Sequence, residues 1–562
     1  MATYGNMPVF NSIDPITGTR TLSNGNQTFA GTNATPSNCP LTFGATSGKF
    51  YGEISFNSAT ARDNVYWGVA STNWADWQTS SYQLGASAES AGIWINTGPT
   101  YNTKEEGNTT RDWSLTPDIN DRMIAAFDAD TGNVWIGIWD NSASASKWID
   151  SGGTVRSTDE PGLNRNPTSN WGAGESKTFG CSNRLFDSVN GTSVLHMHDT
   201  DWSGTVPDGF TSLATQNLPK PAVINPDEHF FTTVVDHDGS STATTCGFNL
   251  ETNEWLAIIK NTTGADENWY MIDSLRGVTK VVTMNTNAAE TTDSNVLTVS
   301  GTTFTLGSTL SDKDYYVEIH KAGLTSAKAS NTEGSLNTTA TSANLVSGFS
   351  ISTYVGSGAN TKYGHGLNSA PEWTITKLRV GADQGNYAWH VGLGDGTKLI
   401  YPHLTNAIDT AASIWNSTVP SATLNSLGNA VGTNTNTYTY VNWSWHSVEG
   451  YSKMGKWVAN GDADGPFINL GGSPQSMIIR DYVGLANWEI FSTAMSPTNP
   501  MVNEIFPNTA GDIGTNGGID FTSTGIKVLN TGDPNNSGRS YIYGAFGLRA
   551  LTDGGINQGR AK

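Results

Sequence analysis

Three tryptophans, Trp269, Trp389 and Trp488, stand 120 and 99 positions apart, and around each the same order of landmarks recurs. Glu254-Trp255, an apolar strand and Lys260 return as Glu372-Trp373, a strand and Lys377, then in degenerate form as Pro474-Gln475-Ser476-Met477-Ile478-Ile479-Arg480. A second tryptophan strand follows each time: Trp269-Tyr270-Met271-Ile272, Trp389-His390-Val391 and Trp488-Glu489-Ile490-Phe491. Each copy closes on an aromatic strand, at Tyr315-Tyr316-Val317, Tyr438-Thr439-Tyr440-Val441 and Tyr541-Ile542-Tyr543. Openings match as well, in Phe349 to Gly356 and Tyr451 to Trp457. Solenoid repeats recur every ~20–50 residues, so copies this far apart are domain-sized and need cores of their own. The pattern predicts three tandem β-sandwich-like domains, with Trp269, Trp389 and Trp488 at equivalent core positions.

Composition agrees with an all-β chain. Of 562 residues only 14% are charged, roughly half the usual share. Thr, Ser, Asn and 62 Gly carry the polar balance, while 19 Trp, 18 Tyr and 19 Phe supply apolar surface. Thr and aromatics favour pleated strands, and Gly and Asn favour tight turns. A net charge of −20 opposes binding to nucleic acid or anionic lipid. No run approaches the ~18 apolar residues of a membrane-spanning helix. Met1 to Phe10 has neither the basic region nor the apolar core of a secretory signal, which predicts cytoplasmic synthesis. Cys39, Cys181 and Cys246 are odd in number, far apart in sequence, and match no disulfide framework or zinc spacing; buried free thiols are expected.

Strand follows strand in the N-terminal part. Lys49 to Phe56 alternates apolar and polar residues at period two. Val65 to Ala70 is a short apolar run, and Arg122 to Phe127, Asp128 to Asn133 and Val134 to Trp139 read as strand, turn and strand. The one helix candidate lies near Asn406 to Trp415. Three prolines between Leu218 and Pro226 mark a domain boundary, Ala322 to Asn344 reads as a linker, and Val448 to Lys453 as a tight junction. The resulting division is 1–219, 220–330, 331–447 and 448–562.

The order GKFYGEISF, VYWGVAS, MIAAFDADTGNVWIGIWDN resembles the SPRY family, a bent, lectin-like β-sandwich, with Asp128 and Gly132 matching its D-x-x-x-G turn. Gly209 to Pro219 resembles the closing sequence of SPRY-like domains in marine phage structural proteins. This resemblance covers roughly residues 20 to 219. It implies partner binding through loops and no catalytic residues, with residues 140 to 205 as a loop-rich insertion. The repeats, over most of residues 228 to 551, are similar to a domain of unknown function found downstream of SPRY-like domains in marine bacteriophage structural proteins. Their first copy departs most, at His229 to Gly239. The resemblance implies a place in the virion.

Candidate chemistry is sparse. His196 and His198 share a strand face near Asp201, a spacing that can hold a metal. Asp236-His237-Asp238-Gly239 and Asp462-Ala463-Asp464-Gly465 put oxygen ligands at turns, without a full calcium ladder. Glu105 and Glu106 read as a solvated acidic pair, and Trp74 and Trp77 as an aromatic loop able either to stack on sugars or to close a sandwich end. No nucleophile elbow or phosphate loop is present. Catalytic, cofactor-binding and metal-binding residues are therefore none, and the expectation is a non-enzyme without cofactors. The expected function is a structural component of a bacteriophage virion, a tail fibre, spike or other projecting appendage that touches the host. Capsid decoration or a head fibre is one alternative, and a secreted carbohydrate-binding protein is another. A polysaccharide-degrading spike would need an acidic pair in a groove. Expected partners are further copies of the chain (a homo-oligomer, trimer first), other virion proteins and a host surface glycan, with no nucleic acid and no membrane.

Overall fold

A computed structural model describes residues 7–12, 20–31, 37–56, 64–72, 84, 89–95, 101–105, 109–112, 118, 120–151, 154–156, 161, 167–184, 192–218 and 220–550, the last without 240–241, 265–266 and 381–384. The chain is all-β and its described residues divide into two compact units, the first over residues 1–220 and 466–471 and the second over 221–465 and 472–550. No helix among the described residues is long and apolar enough to cross a membrane.

The first unit is a two-sheet sandwich. The larger sheet runs in the order Arg20–Ser23, Thr28–Gly31, Thr192–His196, Lys49–Phe56, Arg122–Asp128, Asn133–Asp140, Ala145–Ile149 and Val155–Arg156. The smaller runs Ser37–Pro40, Lys177–Arg184, Asn64–Ser71, Ser90–Ile95, Tyr101–Glu105 and Thr109–Asp112. Alternation along Lys49–Phe56 sends Phe50 and Ile54 into the inter-sheet core with Trp67, Phe127 and Phe179. There Phe127 and Phe179 pack with ring centroids 5.0 Å apart. Tyr51 and Glu53 point the other way and are buried too, because Trp135, Trp148 and Phe210 cover that face. The Asp128–Gly132 turn forms as read from the sequence. Asp128 Oδ1 accepts from the Asp130 and Thr131 N–H groups at 3.0 and 3.3 Å, and Gly132 takes φ +79°, a region open mainly to glycine.

The described residues between 140 and 205 hold sheet strands where a loop-rich insertion was expected. Lys177–Arg184 lies between Ser37–Pro40 and Asn64–Ser71, and Thr192–His196 between Thr28–Gly31 and Lys49–Phe56. Small polar residues in Lys177–Arg184 conceal the strand from a search for β-branched runs. The three cysteines are buried free thiols, as expected. Cys39 and Cys181, distant in sequence, stand directly opposite each other across adjacent strands, both as buried free thiols.

In the second unit three sheets repeat one order: opening strand, closing strand, second strand, third strand. The opening strands are Phe230–Asp238, Phe349–Val355 and Ser452–Val458, and the closing strands Asp312–Leu324, Thr439–Trp445 and Ser540–Phe546. The second strands are Asn253–Asn261, Trp373–Val380 and Ser476–Asp481, and the third Tyr270–Asp273, Asn386–His390 and Trp488–Ser492. Registers against the closing strands make Ile258, Ile375 and Ile478 equivalent, as they do Lys260, Lys377 and Arg480. His320, Trp445 and Phe546 are equivalent at one end of the closing strands, and their rings meet at centroid distances of 5.7, 4.8 and 6.3 Å. The three sheets thus turn the same face to one shared core around a pseudo-threefold axis, in which all three isoleucines are buried. Their opposite faces carry separate outer cores, such as Trp255, Ile259 and Val317 in the first repeat and Tyr354, Leu378 and Tyr440 in the second.

The three tryptophans are not all equivalent. Trp488 pairs with Arg480, and Trp269 stands one residue before its third strand, opposite Lys260. In the second repeat that place belongs to Asn386, opposite Lys377, while Trp389 pairs with Thr374. An odd displacement of three residues moves a strand side chain to the other face, so Trp389 sits in the outer core and the other two on the axis. The stretch Ala322 to Asn344 is structured rather than a linker. It holds the end of the first closing strand, a 3-10 turn at Thr325–Ala327, and the strand Ala340–Asn344 paired to Phe349–Val355. Of the helix candidate, one turn forms at Ala412–Trp415.

Candidate functional site

The three equivalent cations are fully buried, and each reaches a backbone carbonyl of a neighbouring repeat. Lys260 Nζ donates to Ala510 O at 2.9 Å, Lys377 Nζ to Thr286 O at 3.1 Å, and Arg480 Nη2 to Asn406 O at 2.6 Å. First repeat grips third, third grips second, second grips first, so the staples close a cycle. Burial lowers Arg480 to about 10, against the pull of nearby Asp481. Arg379 adds an inter-repeat ion pair to Glu290 at 2.9 and 3.1 Å.

Beside the axis, Glu318 Oε1 accepts from His320 Nε2 at 2.7 Å and Oε2 from Ser476 Oγ at 2.6 Å, and the Tyr316 hydroxyl donates to it as well. Trp445 Nε1 donates to His320 Nδ1 at 3.4 Å, which fixes Nε2 as the protonated nitrogen. Burial alone would raise Glu318, but the His320 and Ser476 bonds outweigh it and hold it below the usual carboxylate range. A small cavity of about 20 Å³ adjoins this pair, walled by Ile258, Ile375 and Ile478.

A third device recurs once per repeat. The hydroxyls of Tyr315, Tyr440 and Tyr541 accept the backbone N–H of Ser311, Thr435 and Asn536 at 3.0, 2.8 and 3.1 Å. These tyrosines occupy one register position, so each pins the turn entering its closing strand.

The motifs singled out for metal chemistry resolve differently. His196 Nε2 bonds Ser55 Oγ at 2.9 Å, while His198 Nδ1 faces Thr200 Oγ1 at 2.6 Å. Burial first, then Arg122, lowers His196 to about 4. These residues border an open groove of about 790 Å³ with Arg122, Asp201 and Trp202. Arg122 also joins a buried network in which Glu53 accepts from Tyr51, Arg122, Ser203 and Gly204 at 2.7–3.0 Å. His237 is buried and bonds Leu310 O at 3.3 Å, while Asp236 and Asp238 are exposed on the other strand face. Asp464 pairs with Lys527 at 2.5 Å, and Asp462 Oδ1 accepts the Asp464 N–H. Among the described residues no group of three or more His, Cys, Asp or Glu could hold a metal ion. Trp74, Trp77, Glu106 and the Glu105 side chain lie outside the described residues.

Sequence reasoning missed a slot in the outer core of the second repeat. Trp389, Trp415 and Tyr363 wall it, Thr418 and Pro420 lie at its rim, and Asn425 and Ser426 line its inner end. Trp415 Nε1, Asn425 Oδ1 and Ser426 Oγ are buried without hydrogen-bond partners. Asn425 Nδ2 donates to Tyr363 Oη at 3.0 Å and Ser444 Oγ at 3.1 Å. Only the misplaced Trp389 hinted at it in sequence.

A family model described as "Domain of unknown function (DUF7483)" matches residues 225–548, and the chain belongs to this family. The match spans all three repeats. No curated protein matches. Among solved structures, the chain is similar to a TRIM65 PSpry domain at 11% identity, covering 34% of this chain and 93% of that one, with a TM-score of 0.23. It is similar to stonustoxin at 15% identity, covering 34% and 29%, TM-score 0.23. A human SPRY domain follows at 12% identity, covering 32% and 94%, TM-score 0.21.

Proposed function

We propose that the chain is a non-enzymatic structural component of a bacteriophage particle, in a tail fibre, spike or other projecting appendage that contacts the host. The observation that carries this reading is the cyclic staple set. Lys260, Lys377 and Arg480 lock three domains into one body, a construction suited to a part that must transmit force without deforming. The resemblance of both halves to marine phage structural proteins is the support for a place in the particle. Mass spectrometry of purified particles tests it: peptides of this chain at stoichiometric level are expected, followed by its placement in a map of the particle. Particles free of the chain overturn it.

A decoration or head-fibre role is favoured by one specific feature, the closure of the pseudo-threefold within a single chain. A body that has already satisfied its inter-domain contacts has less need of sister copies, although appendages gain avidity from multiple chains. For the appendage we propose a homo-oligomer, trimer first. Light scattering at micromolar concentration is expected to give a multiple of 59.8 kDa; a clean monomer replaces the fibre reading by decoration.

A further inference from the structure

We propose that Cys39 and Cys181 are a cross-link site, two thiols that close into a disulfide under a thiol oxidant and fasten the edge of the smaller sheet in the first unit. The two residues stand directly opposite each other on Ser37–Pro40 and Lys177–Arg184, so both side chains leave the sheet on one face. That face is the inter-sheet core, where both are fully buried. Two positions along the same pairing the Leu41 N–H donates to Phe179 O at 2.9 Å, which makes Cys39 and Cys181 a hydrogen-bonded pair. Such pairs hold their Cα atoms about 5.5 Å apart, inside the ~4.4–6.8 Å that disulfides span. Their Cβ atoms start about 5.5 Å apart, against ~3.5–4.5 Å in a disulfide, so closure draws the two strands together.

The place of the pair in the fold permits that movement. Ser37–Pro40 is four residues long and the outermost strand of its sheet, with the Asn11 N–H donating to Pro40 O at 2.8 Å on its far side. Lys177–Arg184 is paired along its whole length to Asn64–Ser71 and supplies the fixed half. The oxidant is a small-molecule disulfide. One protein thiolate attacks it and releases one small thiol, and the second protein thiol then displaces the other. Two protein S–H bonds and one small-molecule S–S bond become one protein S–S bond and two small thiols. Burial first, then the neighbouring Cys39, raises Cys181 well above the usual thiol range. Thiolate is the attacking form, so closure proceeds through openings of the edge strand. The bond would close a loop across 142 residues, and constraining a long loop in the unfolded chain is how a disulfide stabilises in the chain-entropy account. Cys246 lies in the outer core of the first repeat, in the other unit, and serves as the unlinked control.

This inference is independent of the particle assignment. The test uses the full chain, purified with reductant and then freed of it. The chain is held with oxidised glutathione below its thermal midpoint for as long as the amides of Ser37 to Cys39 take to exchange, then denatured, alkylated and mapped. One alkylated thiol, Cys246, is expected where the reduced chain has three, with the peptides of Cys39 and Cys181 joined. The thermal midpoint of the first unit is expected to rise by about 5–10 °C and to fall back when dithiothreitol is added. Cys39→Ser and Cys181→Ser are each expected to abolish the rise, and Cys246→Ser to keep it. Three alkylated thiols overturn the proposal, as does glutathione left on Cys39 or Cys181, or a bond to Cys246. A joined chain whose midpoint does not rise overturns the fastening role. Mapping of the unaltered chain decides the bond even where a serine variant fails to fold.

Discussion

The N-terminal unit closes its core between two sheets, and the C-terminal unit closes one among three. In the sandwich, unrelated positions meet across the gap, as Phe127 meets Phe179. On the pseudo-threefold axis one position meets its own counterparts, as His320, Trp445 and Phe546 do. Three identical large side chains cannot share that space, so the copies have diverged in a compensating way. Glu318, Trp443 and Gly544 occupy one register position, and Leu256, Trp373 and Ser476 another. A Cβ at Gly544 would lie 2.7 Å from the Trp373 ring, so the second repeat's indole occupies room that the third repeat vacates. Volume is conserved over the trio rather than at each residue, the condition under which cores tolerate substitution.

The largest effect should come from removing that indole. Trp373→Ala is expected to destabilise by about 3–5 kcal/mol and to lower the melting of all three repeats together, followed by hydrogen exchange read peptide by peptide. Trp67→Ala, an equal truncation in the sandwich, should loosen the first unit and leave the repeats protected. If Trp373→Ala loosens the second repeat alone, the shared-core comparison is broken.

Next come the staples. Lys377→Ala leaves the Thr286 carbonyl without its partner, and losses of this kind cost about 1–3 kcal/mol. The exchange gain should appear in both the first and second repeats. A change confined to the second would show that the contact is local.

The repeat itself was legible because its landmarks are large or charged residues at fixed places in strands. The cations Lys260, Lys377 and Arg480 were visible, but their reach into the next repeat was not, because long-range partners such as Ala510 and Thr286 are backbone carbonyls and carry no sequence signal. Trp389 was matched by residue type where register should decide. Asn386 holds the equivalent place and bonds Met284 O at 2.6 Å, so a polar residue does there what an indole does elsewhere. Cys39 and Cys181, and the strand Lys177–Arg184, were hidden for another reason: pairing across 142 residues of sequence leaves no local trace. In the slot, Asn425 looks like any polar residue until Tyr363 is paired beside it.

A smaller effect separates the three tyrosines. Tyr315→Phe, Tyr440→Phe and Tyr541→Phe each remove one acceptor from a turn N–H, and each should cost about 0.5–1.5 kcal/mol by chemical denaturation. Equal costs would sharpen the equivalence of the repeats. A cost near zero at one site would show that its turn is held by other contacts.

The smallest effect lies on the outer face of the third repeat, where Glu489 stands at the position held by Tyr270 and Tyr387 in the other two. Burial, then the charges of Glu504 and Asp533, raises Glu489 well above the carboxylate range. Burial, opposed by a backbone bond and aided by Asp533, raises Glu504 from 4.5 to about 7. A carboxyl raised in the folded state holds its proton more tightly there than in the unfolded chain. Its contribution is therefore complete below the unfolded value near 4.5 and is lost as pH rises through about 7. Glu318, held low, has the opposite sign and loses its contribution only as the solution is acidified. Between pH 5 and 8 the thermal midpoint of the repeats should fall by about 2–4 °C, which corresponds to roughly 1 kcal/mol after discounting for partial solvent contact. Glu504→Gln should flatten that slope and leave the acid-side loss from Glu318 in place. A profile unchanged by Glu504→Gln would move the pH dependence off Glu504, with Glu489 the next group to replace.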